Sequence, residues 1–287
     1  MKIKEVLREK KSGVSFEFFP PKSSDGKEGF MKVVRDLRRY SPLYVSVTYG
    51  AGGSTQERTA NTLKWLKTET DLTLMSHLTC IGATRDSIES LLGDYMRNGI
   101  DNVLALRGDA PRNVPDFDVS KGEFRYARDL VAFIAKYGYF STGVAVYPEG
   151  HFESPNIEKD MEFTKQKVDA GADFCITQMF FDNRYFYDFM DRAGKIGINV
   201  PILPGIMPIT DCRKIEEFAE FCNASIPPEI KKRMGPVLDK PEDMRKIGIE
   251  HAIAQCEDLI RNEVRYLHFY TMNKSDVVRE IIDALPT

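Results

Sequence analysis

Apolar, β-branched and aromatic residues gather into eight short runs that begin near positions 14, 44, 73, 102, 141, 173, 200 and 265. They read VSFEFFP, YVSVTYG, TLMSHLTC, NVLALRGD, STGVAVYP, DFCITQMFF, VPILPGIMP and RYLHFYTMN, each with the length and make-up of a buried strand. Between the runs the period changes. Leu63 and Leu66 in 55–68, Ile88, Leu91, Leu92 and Met96 in 86–97, and Met161, Thr164 and Val168 in 157–170 recur at helical spacing. Strands alternating with helices are joined by crossovers and so lie parallel. Eight such units in 287 residues fit one α/β fold above others, the (β/α)8 or TIM barrel. A doubly wound sheet is the alternative, but it gives no reason for eight units, and GxGxxG is absent after the first strand. The interval between strands seven and eight has room for three helices, about 211–222, 228–234 and 242–263, which predicts an extra helix there; 277–285 supplies the last one. With no low-complexity linker, residues 1–287 are expected to form a single barrel domain.

In such a barrel the carboxyl ends of the strands share one face, where polar residues converge. Strand one carries Glu17 between Phe16 and Phe18, strand two ends in Thr48, Tyr49 and the loop AGGST, and strand three carries His77 and Thr79. Strand four runs from apolar residues straight into Arg107, Gly108 and Asp109, placing opposite charges beside a flexible turn. Strand five ends in Tyr147, followed by Glu149 and His151; strand six carries Gln178, and strand eight ends in Tyr270 and Asn273. Glu17 is the sharpest anomaly. A carboxyl among aromatics is expected to resist ionisation and to act as a proton donor near neutral pH, unless it pairs with a buried Arg or Lys. His77 reads equally as a core histidine or a ligand contact. The four histidines, His77, His151, His251 and His268, have no metal-motif spacing, and only the first two are expected at the active face. Gly50, Gly52 and Gly53 suit either a phosphate cradle or a plain flexible connection.

The charge balance narrows the partners. Forty basic against 43 acidic residues leave a net charge of −3, which gives no field attracting nucleic acid or an anionic membrane, so a bound anion must be held locally. Five cysteines without CxxC spacing argue against a disulfide framework or a zinc site and for a reducing compartment. The start, MKIKEVLREKKSG, lacks the apolar core of a signal peptide, and no run approaches a membrane span, so a cytoplasmic protein is expected.

Eight motifs in order then point to one family. SFEFFPPKS, VSVTYGAGGST, HLTC, LALRGDAP, YPEGH, KVDAGADFCITQMFFD, PILPGIMPI and HFYTMN resemble the methylenetetrahydrofolate reductases across nearly the whole chain. The resemblance implies a barrel that binds FAD, reduced by NADH or NADPH in a ping-pong reaction and reoxidised by 5,10-methylenetetrahydrofolate to give 5-methyltetrahydrofolate. It implies Glu17 as the acid that protonates the departing nitrogen when the folate ring opens, and Asp109 as a fixed negative charge near the flavin and the pterin. Thr48, Tyr49, Ala51, His77, Arg107, Gly108, Asp109, Ala127, Tyr147, His151, Asp160 and Lys167 match cofactor-contacting positions, Thr48 also the nicotinamide contact. Glu17, Asp109, Gln178, Phe218 and Lys274 match substrate positions, Phe218 as a mobile aromatic and Lys274 toward a folate carboxylate. Two departures stand out. On the helix after strand five, Phe163 and Gln166 occupy places where the bacterial pattern has asparagine and arginine, which leaves open how the adenosine end of FAD is held. Lys274 stands where an arginine is common, giving a point charge in place of a fork. Family members are often homo-oligomers, so the same is expected here. No segment resembles the regulatory domain of eukaryotic members, so inhibition by S-adenosylmethionine is not expected. Two rival readings remain: a flavin-free lyase using Glu17 and Asp109, and a folate-binding subunit without catalysis.

Overall fold

The computed structural model describes residues 1–23, 25–49, 56–109, 117–118 and 122–286. The predicted strands are present as β1 (Gly13–Phe18), β2 (Val45–Val47), β3 (Leu74–Thr79), β4 (Asn102–Leu106), β5 (Ser141–Val146), β6 (Phe174–Thr177), the pair β7 (Ile202–Leu203) and β8 (Gly205–Ile206), and β9 (Tyr266–Tyr270). All neighbouring strands pair in parallel, in the order β7-β6-β5-β4-β3-β2-β1-β9-β8. The two ends of that order are one stave. Only Pro204 separates β7, which pairs with β6, from β8, which pairs with β9, so the sheet closes into an eight-stave barrel. Proline has no N–H for the ladder, and this divides the stave. Its carbonyl still accepts from His268 N at 3.0 Å, and Gly205 N donates to Thr177 Oγ1 at 2.8 Å.

Helices α2 (Gly26–Arg38), α3 (Gln56–Glu69), α4 (Arg85–Arg97), α5 (Ala127–Ala135), α6 (Ile157–Asp169) and α7 (Asn183–Lys195) follow the first six staves. Side-chain caps begin several of them: Thr84 accepts from Ser87 N, Asn156 from Lys159 N and Asp182 from Arg184 N. The expected insertion is there as α8 (Cys212–Phe221), α9 (Pro228–Met234) and α10 (Pro241–Arg261), and α11 (Ser275–Ala284) ends the barrel. The insertion has its own core, in which Ile215, Ala219, Ile230 and Met234 pack with Met179, Phe181 and Ile209.

Strand alternation divides the interior from the helix layer. Phe16, Phe18 and Phe269 point out toward the helices, in one cluster with Phe30, Leu37 and Val278. Met75, Leu104, Phe174, Ile176 and Leu203 join a second cluster with Ile3, Val6 and Leu7 of α1 (Ile3–Glu9). This amino-terminal helix was not legible as one. Its apolar residues are interleaved with Lys2, Lys4, Glu5 and Arg8, yet all three are buried, closing the end of the barrel away from the site. Burial of that kind stabilises by about 1.5–3 kcal/mol per side chain. Among the described residues no helix is long and apolar enough to cross a membrane.

Candidate active site

The floor of the open end is a polar cluster inside the barrel. Alternation that sends Phe16 and Phe18 outward sends Ser15 and Glu17 inward, and the parallel register sets Ser15 beside His268 and Glu17 beside Tyr270. Glu17 Oε2 lies 3.3 Å from His77 Nε2 and 3.6 Å from His268 Nε2. His268 Nδ1 is 2.8 Å from Ser15 Oγ and 3.4 Å from the Tyr44 hydroxyl, which fixes the ring. Among the described residues neither imidazole Nε2 has a partner other than this carboxylate.

This arrangement corrects the expectation for Glu17. Burial does push its carboxyl up, but the charges and hydrogen bonds of His77 and His268 outweigh it and bring the group down to about 2. The aromatics adjacent in sequence lie on the other side of the sheet and do not surround the carboxylate. Its partners are also not the Arg or Lys of the alternative reading, but two histidines. Burial holds His268 below the ordinary histidine value. His268 was placed away from the active face, and that too is corrected: in RYLHFYTMN it alternates with Tyr266 and Tyr270, the signal by which it could have been found.

The β4 end presents the charged turn. Gly108 has φ +83°, and a Cβ there would sit 2.8 Å from Thr79 Cβ, so this bend between Arg107 and Asp109 requires glycine. Asp109 is exposed at the open end. Arg107 does not wait as an isolated cation. Glu153 engages it through both guanidinium nitrogens, Nη2 to Oε1 at 2.8 Å and Nη1 to Oε2.

A cavity of about 450 Å³ opens beside this turn. Arg107, Ala127, Tyr147, His151, Asp160 and Lys167, drawn from four separate stretches of sequence, all line it. Asp160 is buried; its Oδ1 accepts from Ser154 Oγ at 2.7 Å, while Oδ2 has no partner among the described residues. Lys167 Nζ donates to Ala145 O at 2.6 Å, and burial lowers its pKa. Tyr147 meets the His151 ring edge-on at 4.6 Å. Burial lowers the His151 pKa, and its Nδ1 accepts from Glu153 N at 3.1 Å. Arg128, Glu153, Ser154 and Pro155 also line the cavity and were not anticipated, since nothing local in sequence marks them.

The remaining expected residues are arranged around these two regions. Thr48 is buried, its carbonyl accepting from Thr59 Oγ1 at 2.8 Å, and burial raises the Tyr49 phenol to about 12. Gln178 follows β6 and accepts through Oε1 from Met179 N at 2.8 Å. Phe218 on α8 is exposed, and Lys274 before α11 donates to Thr210 Oγ1 at 3.3 Å. Asn273, with φ +54°, bonds both ways to Phe19 and ties the end of β9 to the end of β1. Ala51 and its glycine-rich loop lie outside the described residues.

The family model for methylenetetrahydrofolate reductase matches residues 2–286. The chain belongs to that family. It is 38% identical over 272 residues to the 5,10-methylenetetrahydrofolate reductase of Escherichia coli strain K12, covering 95% of this chain and 90% of that one. It is 39% identical over 283 residues to methylenetetrahydrofolate reductase (NADH) 1 of Arabidopsis thaliana, with 95% of this chain and 48% of the relative covered. The chain thus spans about half the length of the plant relative and most of the bacterial one. Among solved structures, a Clostridium thermocellum protein described as binding two copies of 5-methyl-5,6,7,8-tetrahydrofolic acid superposes with a TM-score of 0.63 at 14% identity, covering 99% of this chain and 98% of that one. An oxaloacetate acetylhydrolase superposes at 0.53 with 12% identity over 98% and 83% of the two chains. At those identities the likeness is one of fold, and it agrees with the barrel described above.

Proposed function

We propose that the chain is a methylenetetrahydrofolate reductase that reduces 5,10-methylenetetrahydrofolate to 5-methyltetrahydrofolate with NAD(P)H, using FAD in a ping-pong cycle. The observation that carries the reading is the convergence of Arg107, Ala127, Tyr147, His151, Asp160 and Lys167 on one cavity. Its donor set fits the cofactor. The unpartnered Asp160 Oδ2 suits a ribose hydroxyl, and Lys167 and Arg107 supply cations for a diphosphate in a protein of net charge −3. When bound, FAD supplies the two-electron relay between the nicotinamide and the folate.

The chain's own residues bind and manage a proton. His77 and His268 keep the Glu17 carboxyl ionised before the folate arrives, bringing its pKa down to about 2. A folate covering the cluster excludes water. In lower dielectric the carboxylate is disfavoured against the neutral acid, so Glu17 takes up a proton from solvent as the site closes. Glu17 then donates it to the departing ring nitrogen of the folate. Asp109 holds a negative charge where the ring-opened cation develops, Gln178 and Phe218 position the substrates, Thr48 meets the nicotinamide, and Lys274 meets a carboxylate of the folate tail. Asp109→Asn is expected to slow the folate half-reaction about 10- to 100-fold with the fold intact; an unchanged rate in rapid-mixing experiments removes its electrostatic role.

The chain is further read as a single-domain, cytoplasmic homo-oligomer whose product feeds methionine synthesis or other one-carbon reactions. The direct test is product analysis after anaerobic incubation with FAD, methylenetetrahydrofolate and, in separate runs, NADH and NADPH. Formation of 5-methyltetrahydrofolate with either supports the assignment, and nucleotide consumption without it, or no consumption of either, overturns it.

A further inference from the structure

The cavity extends from the ends of β4 and β5 outward between α5 and α6. At its inner end Arg107 is paired with Glu153, and Lys167 donates to the neutral Ala145 carbonyl. The outer end carries a further cation. Arg128, in the first turn of α5, donates through Nη1 to the amide oxygen of Gln166 on α6, a neutral partner that positions the guanidinium without cancelling its charge. Asp129 lies 3.5 Å from Nε, and the other Asp129 oxygen is committed to the backbone N–H groups of Arg125 and Tyr126. Tyr126, 40% exposed, has the Arg128 guanidinium 5.1 Å from its ring centre, and Phe163, 37% exposed, lines the same cavity from α6. Phe163, Gln166 and Lys167 share one face of α6, and both aromatics line the cavity. Exposed rings beside a positioned guanidinium make a site for a planar base attached to phosphate.

On the flavin reading above, we propose that Arg128, acting from α5, anchors the adenylate half of FAD, with Phe163 and Tyr126 offering faces to the adenine. Gln166 then has a defined part. The position that resembles an arginine site in the family instead carries an acceptor, and that acceptor holds an arginine reaching across from the neighbouring helix. A guanidinium at both positions would place like charges side by side; an amide opposite Arg128 removes the repulsion and sets the direction of the fork.

The test is a ligand ladder on apoprotein: riboflavin, FMN and FAD titrated by flavin fluorescence, with ADP as a competitor of FAD. Wild-type protein is expected to prefer FAD to FMN and to release FAD to ADP. Arg128→Ala, and Arg128→Gln as a variant that keeps side-chain length, are expected to weaken FAD about 10- to 100-fold and to abolish ADP competition. FMN and riboflavin affinities are expected to stay within about twofold, the range of a substitution with no lost contact. Unchanged FAD affinity in the variants, or an equal fall for FMN and FAD, overturns the Arg128 assignment while leaving the flavin reading intact. Wild-type protein that binds none of the three flavins overturns both.

Discussion

Replacing Glu17 by glutamine is expected to slow folate-dependent reoxidation of the flavin by about 10²- to 10⁴-fold, the contribution of a positioned acid, while reduction by NAD(P)H keeps its rate. Glutamine matches the volume of glutamate and retains an oxygen toward His77 and His268, so the barrel interior stays filled. What it lacks is an acidic proton at that position. The two half-reactions separate because only ring opening of the folate needs that proton. Anaerobic rapid mixing resolves them, and a variant that carries out both at the wild-type rate would refute the role of Glu17.

Removing the two histidines should reverse the charge state of the same carboxyl. In the native cluster burial raises the Glu17 pKa, and His77 and His268 overcome it to leave a value of about 2. In His77→Asn/His268→Asn the burial remains and the opposition is gone, so the pKa is expected to rise above its ordinary 4.5. The sign of the stability linkage then changes. Native Glu17, depressed on folding, stabilises above its unfolded pKa near 4.5, and that contribution is lost as pH falls toward about 2. In the double variant Glu17 is protonated in the fold, and stability is instead lost as pH rises through the raised value. Infrared spectroscopy of the carboxyl, with thermal melts across the same pH range, reads both effects. A carboxylate that stays ionised in the double variant would show that the histidines do not set its state.

The barrel was legible because its signal is repetitive. Eight β-branched runs at regular intervals, with helical spacing between them, leave few other topologies, and even the insertion of α8 to α10 could be read from the excess length before β9. Pro204 splitting one stave is a detail of hydrogen bonding within the same pattern. The amino-terminal plug was hidden for the opposite reason: Ile3, Val6 and Leu7 are too few, and too closely interleaved with charge, to outweigh their neighbours.

That several of the candidate residues share one cavity agrees with the sequence reading, but their contacts were not legible. Arg107, Tyr147, His151, Asp160 and Lys167 do share one cavity, but the pairing of Arg107 with Glu153 had no local mark. Glu17 makes the point most clearly. Reading its environment from Phe16 and Phe18 gave the wrong sign for its ionisation, because period-two alternation sends sequence neighbours to opposite faces of the sheet. Its true partners come from β3 and from β9, the latter some 250 residues away and fixed by the register with β1. The Arg128 and Gln166 contact likewise exists only because α5 and α6 are neighbours around the barrel.

The central claim is one site that passes electrons from a nicotinamide to a folate through a bound flavin. It is tested most directly by the visible absorption spectrum of the purified protein, recorded anaerobically before and after NADH and again after methylenetetrahydrofolate. The account predicts a flavin band that bleaches with NADH and returns with the folate. A colourless protein that cannot be reconstituted with FAD would contradict it, and so would a flavin band that bleaches and is not restored by the folate.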